Sequence, residues 1–186
     1  MVLKQPVGYL VNHPSGLSGT PGTFYDYLVA SNGVFIRAEG PLFKATINIA
    51  RVEIRGLAPL EQKIELVHGK VSGWISQTAL SIMRFHLERE VYLAVIWEDG
   101  KYRLIKPPQE GEAGHVNYHT VPNTLVHLHS HPLMDAYFSG IDNKDEQGLG
   151  IYIVVGKLHE GVPEAMVRAG VYGYFELMDW GDVFAI

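Results

Sequence analysis

The hydrophobic period of the chain changes near residue 74, and this change limits the folds that are available. Over residues 74–89, apolar positions such as Ile75, Ala79 and Ile82 recur at the spacing of one helix face. Before this segment the sequence alternates apolar and polar residues, as in "KATINIARVEIRG", a pattern typical of strands. We therefore expect a β-rich N-terminal module over residues 1–70 and a second domain over residues 71–186.

Turn signals divide both parts into strands. The stretch "FYDYLVASNGVFIRAEG" predicts a hairpin turning at Asn32-Gly33, and "EVYLAVIWEDGKYRLIKP" predicts another turning at Asp99-Gly100. Further along, "NTLVHLHSH", "GIYIVVGKL" and "MVRAGVYGYFELM" each predict a strand, and "GIDNKDEQG" predicts a short helix. This order predicts an α/β (α+β) fold in which helices flank a mixed β-sheet.

Composition excludes several classes of protein. The 186 residues are 47% hydrophobic, which suits a globular chain with a sizeable core. The net charge of −5 gives no basic field for binding phosphates, so direct nucleic-acid binding is disfavoured. The sequence shows neither a signal peptide nor an apolar run long enough to span a bilayer, so we expect a cytoplasmic protein and no membrane partner. Because cysteine is absent, any metal must be held by histidine and carboxylate.

Three histidines alternate in "HLHSHP", residues 127–132. In a strand, His127, His129 and His131 share one face, with neighbours about 7 Å apart. Two neighbouring imidazoles can therefore converge on one ion, whereas the outer two, about 13 Å apart, cannot easily do so. Spacing alone leaves two possible pairs, and it also allows a strand that simply contains several histidines.

The residues after the histidines favour a metal site. Ser139 and Asp142 have the S-x-x-D spacing of a capping box, which predicts a helix start with Asp142 in the first turn. Pro132 ends the strand, so the chain can return over the strand end and present this carboxylate to two imidazoles. Two histidines, one carboxylate and an open fourth position are a common catalytic zinc set.

These residues resemble a known motif. The stretch "HSHPLMDAYFSGID" reproduces H-[ST]-H-P-x6-S-x2-D, the JAMM motif of the MPN/JAB (Mov34/PAD-1) metalloisopeptidases. The resemblance implies a cytidine-deaminase-like JAB/MPN sandwich over roughly residues 72–178. It also implies Zn²⁺ held by His129, His131 and Asp142, with Ser139 donating a hydrogen bond to the oxyanion. His127 lies outside this implied ligand set.

The same resemblance implies a catalytic glutamate at the start of the strand after the first helix. In "LEREVYLAVIW" the best match is Glu90, which directly precedes the apolar strand, and Glu88 is the alternative. An acidic residue is unfavourable at a helix C-terminus, which favours a functional reason for it. Glu90 is therefore the expected general base.

A second stretch, "VNHPSG", is similar to the H-N-H-P-S-G of RadC-type JAB proteins. Here Val11 replaces the first histidine, and Pro21 and Phe24 occupy the places of the serine and the aspartate. We expect this stretch, which includes His13, to be a turn.

The implied function is that of a zinc-dependent isopeptidase, similar to a deubiquitinase, that hydrolyses an amide bond at the C-terminal tail of a ubiquitin-like or ThiS-like protein. A narrower resemblance is to the protein A family of the bacterial PRTRC cassette, carried by "IKPPQ" and "RAGVYGYFELMDW", and it implies a ThiF/E1-like partner. Two alternatives stay open. One is a catalytically silent MPN-type scaffold, and the other is a metallohydrolase of small peptides or amino-acid adducts.

Overall fold

The computed structural model describes residues 5–112, 115–118 and 121–185. The first part of the chain forms a six-stranded mixed sheet in the order β2-β1-β3-β4-β5-β6, in which β1 and β3 run parallel and the other neighbours antiparallel. Its strands are β1 (Val7–His13), β2 (Gly16–Thr20), β3 (Tyr25–Ala30), β4 (Gly33–Glu39), β5 (Phe43–Ala50) and β6 (Lys63–Leu66).

The hairpin predicted at Asn32-Gly33 is confirmed, but its turn lies one residue earlier. Ala30 pairs with Gly33, so Ser31 and Asn32 are the two turn residues. Gly33 has a φ of 148°, and a Cβ there would overlap the backbone of Ala50 on the neighbouring strand. Both the positive φ and the close approach of β5 therefore favour glycine at this position.

Helix α1 (Gly73–Arg84) is shorter than predicted. Its buried face consists of Ile75, Ser76, Ala79 and Met83, in agreement with the predicted stripe. The prediction that it continues to residue 89 is wrong because the apolar stripe ends at Met83, and Phe85 is 87% exposed. Residues 85–89 bury no apolar face and leave the helix, and the buried Glu90 and Val91 then return the chain to the second sheet.

The second sheet has the order β14-β13-β12-β11-β7-β8, with β11 and β12 parallel and the other neighbours antiparallel. A separate hairpin is formed by β9 and β10. The elements are β7 (Tyr92–Glu98), β8 (Lys101–Ile105), β9 (Gln109–Glu112), β10 (His115–Tyr118), β11 (Thr124–His131), α2 (Gly140–Asp145), β12 (Leu149–Gly156), β13 (Glu164–Val171), β14 (Tyr174–Met178) and α3 (Trp180–Val183).

Two turns in this sheet show where turn signals succeed and fail. The hairpin predicted at Asp99-Gly100 is confirmed, and both residues have positive φ, 51° and 75°. The segment predicted as one last strand is instead the hairpin of β13 and β14. It turns at Tyr172-Gly173, with φ of 49° and 88°. Tyrosine rarely adopts positive φ, so the dipeptide gives a weak turn signal.

One hydrophobic cluster joins the two sheets. Ile36, Phe43 and Ile47 of the first sheet pack in the same cluster as α1 and the apolar residues of β7, β11 and β12. The predicted fold class, a mixed α+β fold with a β-rich N-terminal part, is confirmed. The division into two domains at residue 70 stays a prediction. In the described part of the chain, no helix has the length and apolar character needed to cross a bilayer.

Candidate metal centre

His129 and His131 lie on β11, which is flanked on both sides by other strands of the second sheet. Successive side chains of a strand alternate between its faces, so His129 and His131 point the same way. Both are buried, and their ring centroids are 5.2 Å apart. The strand ends at His131, directly before Pro132, which has no backbone N–H to continue the ladder.

Asp142 is brought to the histidines by the predicted capping box of α2, which is present. The Ser139 hydroxyl accepts hydrogen bonds from the backbone N–H groups of Ile141 and Asp142, each at 3.2 Å. In return, the Ser139 N–H donates to Asp142 Oδ2 at 2.6 Å. The other carboxylate oxygen, Oδ1, lies 3.5 Å from Nε2 of His129. One oxygen therefore holds the helix start while the other faces the site.

The loop between Pro132 and Ser139 is held against the end of β12. The N–H of Lys157 donates to the Met134 carbonyl at 2.7 Å, and the N–H of Leu158 donates to the Pro132 carbonyl at 2.9 Å. A Cβ at Gly156 would overlap the backbone of the loop, so only glycine allows this approach. These contacts return the chain over the strand end, as the sequence predicts.

Nitrogen and carboxylate atoms of His129, His131 and Asp142 all lie within 4.8 Å of one another. Nε2 of His129 is buried and has no hydrogen-bond partner among the described residues. Burial lowers the pKa of His129 to about 4, so its imidazole is neutral at neutral pH. A buried neutral nitrogen without a partner, facing a carboxylate, fits a divalent metal ion.

The second histidine is held in the tautomer that a metal requires. Nδ1 of His131 lies 3.2 Å from the backbone carbonyl of Asp135, which can only accept a hydrogen bond. Burial also lowers the pKa of His131, which favours the neutral ring. Because Nδ1 then carries the proton, the lone pair of Nε2 is available on the side of the site.

Glu90 lies beside the same histidine. It is 5% exposed, and its Oε1 is 3.8 Å from Nε2 of His131. The next residue, Val91, is fixed to Ser130 twice. Its N–H donates to the Ser130 hydroxyl at 2.9 Å, and its carbonyl accepts from the Ser130 N–H at 3.0 Å. Ser130, which separates the two histidines in sequence, thus ties the segment that carries Glu90, directly before β7, to the histidine strand.

The alternative glutamate lies on the surface. The Glu88 side chain is 64% exposed, and its carboxylate lies 3.4 Å from Nδ1 of His86 and 3.5 Å from Nε of Arg89. A hydrogen bond to its own backbone is the largest cause that lowers its pKa, and His86 and Arg89 lower it further. The geometry therefore brings Glu90, and not Glu88, to the histidines.

His127 shares the face of β11 but lies outside the group that can hold a metal. Its Nδ1 is 2.7 Å from the Tyr92 hydroxyl, and its ring stacks on Tyr152 with centroids 5.0 Å apart. Burial lowers its pKa to about 4. It is a neutral, aromatic-packed residue next to the site.

Sequence reasoning missed a buried ion pair below α2. Arg168 of β13 binds Glu146, which directly follows the helix, with Nη2–Oε2 at 2.5 Å. Burial raises the pKa of Glu146 to about 7, and the guanidinium opposes this rise. The one signal in the sequence is a charged residue within the otherwise apolar "MVRAGV". Its partner is 22 residues away, so local patterns do not reveal the pair.

The sequence matches no protein-family model and no curated protein. Among solved structures, one match is described as "JAMM: A Metalloprotease-like Zinc Site in the Proteasome and Signalosome". It has a TM-score of 0.43 and 14% sequence identity, and it covers 63% of this chain and 98% of that chain. A similarity of this size does not establish an activity. The JAMM resemblance is confirmed on the chain's own residues, because His129, His131 and Asp142 fit the motif and come together in space.

Proposed function

We propose that this protein is a zinc-dependent hydrolase of amide bonds, and that it cleaves isopeptide or peptide bonds at the C-terminal tail of a ubiquitin-like or ThiS-like protein. The observation that carries the proposal is the convergence of His129, His131 and Asp142 within 4.8 Å, with the buried Glu90 carboxylate 3.8 Å from His131. A metal group and an adjacent carboxylate form the minimal set for metal-assisted hydrolysis.

The metal would be held by Nε2 of His129, by His131 and by the free oxygen of Asp142. Zinc suits two imidazoles and one carboxylate, and no thiolate is available for softer metals. When bound, zinc supplies Lewis-acid chemistry that polarises a carbonyl and makes water more acidic.

Glu90 would act as the general base and then as the general acid. Its carboxylate accepts a proton from the attacking water and later returns that proton to the leaving amine. Ser130 holds the adjacent residue, Val91, by two hydrogen bonds, which keeps Glu90 beside the site. No covalent intermediate is required, in keeping with the absence of cysteine.

Ser139 would bind the oxygen of the scissile carbonyl. Its hydroxyl oxygen accepts two backbone hydrogen bonds at the start of α2, which fixes the oxygen in place. The hydroxyl proton can then be donated to the oxygen on which negative charge develops. Loss of one such donor typically lowers turnover by about 10²–10³-fold.

Exposed apolar side chains around the site support a protein tail as the substrate. Leu133, Tyr137 and Ile141 are all exposed, and they belong to the loop and helix that carry Ser139 and Asp142. The Tyr137 ring also packs edge-on against His131, with centroids 4.7 Å apart. Such side chains can bind an extended tail on its way to the histidines. A ThiF/E1-like protein is the proposed partner, on the basis of the sequence resemblance alone.

The test begins with elemental analysis of the purified protein, for which we expect about one zinc per chain. The substrate is a ubiquitin-like protein with its C-terminal tail linked by an amide bond to a fluorescent amine. Cleavage should stop with a chelator and return with zinc. A protein that is isolated without metal and takes up none on reconstitution would overturn the proposal. Zinc binding with cleavage only of small peptide amides would favour the small-peptide hydrolase, and zinc binding without any cleavage would favour a scaffold.

A further inference from the structure

The buried guanidinium of Arg168 lies directly below the segment that carries Asp142. Arg168 is 5% exposed and lies between two aromatic rings, 3.6 Å from the ring centroid of Phe138 and 3.7 Å from that of Phe175. Phe138 immediately precedes Ser139, whereas Phe175 belongs to β14 of the sheet. The stacked guanidinium thus joins the loop before α2 to the sheet.

The same guanidinium also binds one residue within α2 and the residue directly after it. Its Nε and Nη2 donate to Glu146 Oε2 at 3.0 and 2.5 Å, and its Nη1 donates to Asn143 Oδ1 at 2.6 Å. With Phe138, these partners lie on both sides of Asp142 in the sequence. Arg168 therefore contacts the chain before the carboxylate, directly after it and one turn later.

Helix α2 buries none of its own side chains. It contains six residues, none of which is buried, so no apolar face packs it onto the sheet. A helix this short is not stable by itself. The capping box orients the Asp142 carboxylate relative to the helix start, but it does not fix the helix relative to β11, where the histidines lie.

We infer that Arg168 is a positioning residue that sets the location of Asp142 relative to His129 and His131. The inference rests on the proposed metal site and deepens it, because it assigns the placement of one ligand to a residue outside the motif. A buried ion pair often adds little to stability but can specify geometry. Lysine cannot replace arginine here, since it has neither a planar group for two rings nor a fork of donors for two acceptors.

The experiment compares the full-length protein with Arg168→Lys and with a matched control, Arg37→Lys. Arg37 forms a partly buried ion pair with Asp26 at 2.7 Å in the first sheet, whereas the histidines lie in the second sheet. Zinc affinity is measured by competition with a chromophoric chelator, and thermal stability is measured on the same samples. We expect zinc binding to be about 10–100-fold weaker in Arg168→Lys, the usual effect of losing a residue that supports a ligand. Arg37→Lys should change only the thermal stability.

Two further measurements keep the result unambiguous. The visible spectrum of the Co²⁺-substituted protein should change in Arg168→Lys and stay unchanged in Arg37→Lys. If Arg168→Lys does not fold, Asn143→Ala removes one of the partners while changing an exposed residue, and it should weaken zinc binding without changing the melting temperature. Metal affinity and spectrum unaltered in these variants, with a lower melting temperature only, would show that Arg168 merely stabilises the fold.

The test of Arg168 can be decided separately from the test of the proposed function. Zinc binding without hydrolysis by the wild-type protein would overturn the proposed activity, yet the affinity comparison would still decide the role of Arg168. Amide hydrogen exchange of the metal-free protein provides a readout that needs no zinc. The N–H groups of Asn143 and Glu146, bonded to Ser139 and Asp142, should exchange faster in Arg168→Lys than in wild type. Unchanged exchange there would contradict the inference.

Discussion

Each of the two sheets contains a parallel strand pair whose first strand ends at a histidine that is followed by a proline. In the first sheet, β1 pairs with β3 and ends at His13, directly before Pro14. In the second sheet, β11 pairs with β12 and ends at His131, directly before Pro132. The two local sequences are alike, and their surroundings are not.

The difference lies in what the chain does after the proline. After Pro14 it turns tightly into β2, so His13 pairs with Gly16 and its ring lies 3.0 Å from the Ser18 hydroxyl on an exposed face. After Pro132 it crosses the end of β12 and returns as α2 above the histidines. The dipeptide therefore marks the end of a strand in both cases, and the segment that follows decides whether a site forms.

The largest expected effect comes from replacing the histidines themselves. His131→Ala removes one of three nitrogen or carboxylate ligands, so zinc binding and hydrolysis should be lost, as they should in His129→Ala. His13→Ala, the matched change in the first sheet, should keep both. Elemental analysis of the three purified variants checks this prediction. A zinc content near one per chain in His131→Ala would mean that the ion is held elsewhere.

The second prediction concerns the carboxylate next to the histidine strand. Glu90→Gln keeps the shape of the side chain but cannot accept a proton, so turnover should fall by about 10²–10⁴-fold while zinc stays bound. Glu88→Gln, two residues earlier on the surface, should turn over like wild type. Steady-state rates and zinc content are measured together. Near wild-type turnover in Glu90→Gln would show that another group is the base.

The third prediction tests the close approach of the chain in each sheet. A Cβ at Gly156 would overlap the loop backbone that leads to Asp142, whereas a Cβ at Gly8 would overlap Asp26 and the backbone of Gly22 in the first sheet. Each change to alanine should lower the free energy of unfolding by about 1–3 kcal/mol through overpacking. Only Gly156→Ala should also weaken zinc binding. Chemical denaturation and metal titration separate the two effects, and equal zinc affinities would show that the loop tolerates displacement.

The smallest expected effect is a pH dependence of the free energy of unfolding. It is small because it depends on the protonation of one carboxyl group, that of Glu146. Burial raises the pKa of Glu146 from its usual value of 4.5 to about 7. The folded state then binds the proton more tightly than the unfolded state, so this contribution is present below about pH 4.5 and is lost as the pH rises through about 7. Chemical denaturation between pH 4.5 and 8 checks this, because the free energy of unfolding of Glu146→Gln should not show this fall with rising pH.

A carboxylate of the first sheet gives the opposite sign. A hydrogen bond from Lys63 lowers the pKa of Glu65, so its contribution is present above its usual pKa and is lost as the pH falls. Glu65→Gln should therefore flatten only the acid side of the stability profile. For Glu146, the raised pKa would be contradicted if the free energy of unfolding had the same pH dependence in wild type and in Glu146→Gln between pH 5 and 7.

Features set by neighbouring residues could be predicted from the sequence, and features set by distant contacts could not. Strands β3, β4, β7, β8, β11 and β12, the Asp99-Gly100 turn and the capping box of Ser139 follow from local periodicity and turn chemistry. The end of α1 cannot be read from the spacing, because His86 continues the helical period although the buried face ends at Met83. Arg168 was missed because its partners come from a loop, a helix and another strand, and no local pattern relates them.

The placement of the histidines shows the same limit. Alternation on β11 predicts that His127, His129 and His131 share a face, but it does not choose between the two possible pairs. The choice is made by α2, whose carboxylate approaches His129, while Tyr92 and Tyr152 surround His127. The motif was recognisable only as a resemblance, since spacing along the chain does not give the path of the returning loop.

The contact between Val71 and Phe184 affects how the second part of the chain could be recombined with other sequences. Val71 donates to the Val183 carbonyl at 2.9 Å and accepts from Ala185 at 2.8 Å, so the entry to α1 and the segment after α3 run side by side. Because these two segments meet, we predict that residues 71–185 can be grafted or inserted at that junction without rethreading their strands. Such a graft would need an apolar cover for the surface that residues of the first sheet, among them Phe43 and Ile47, now shield.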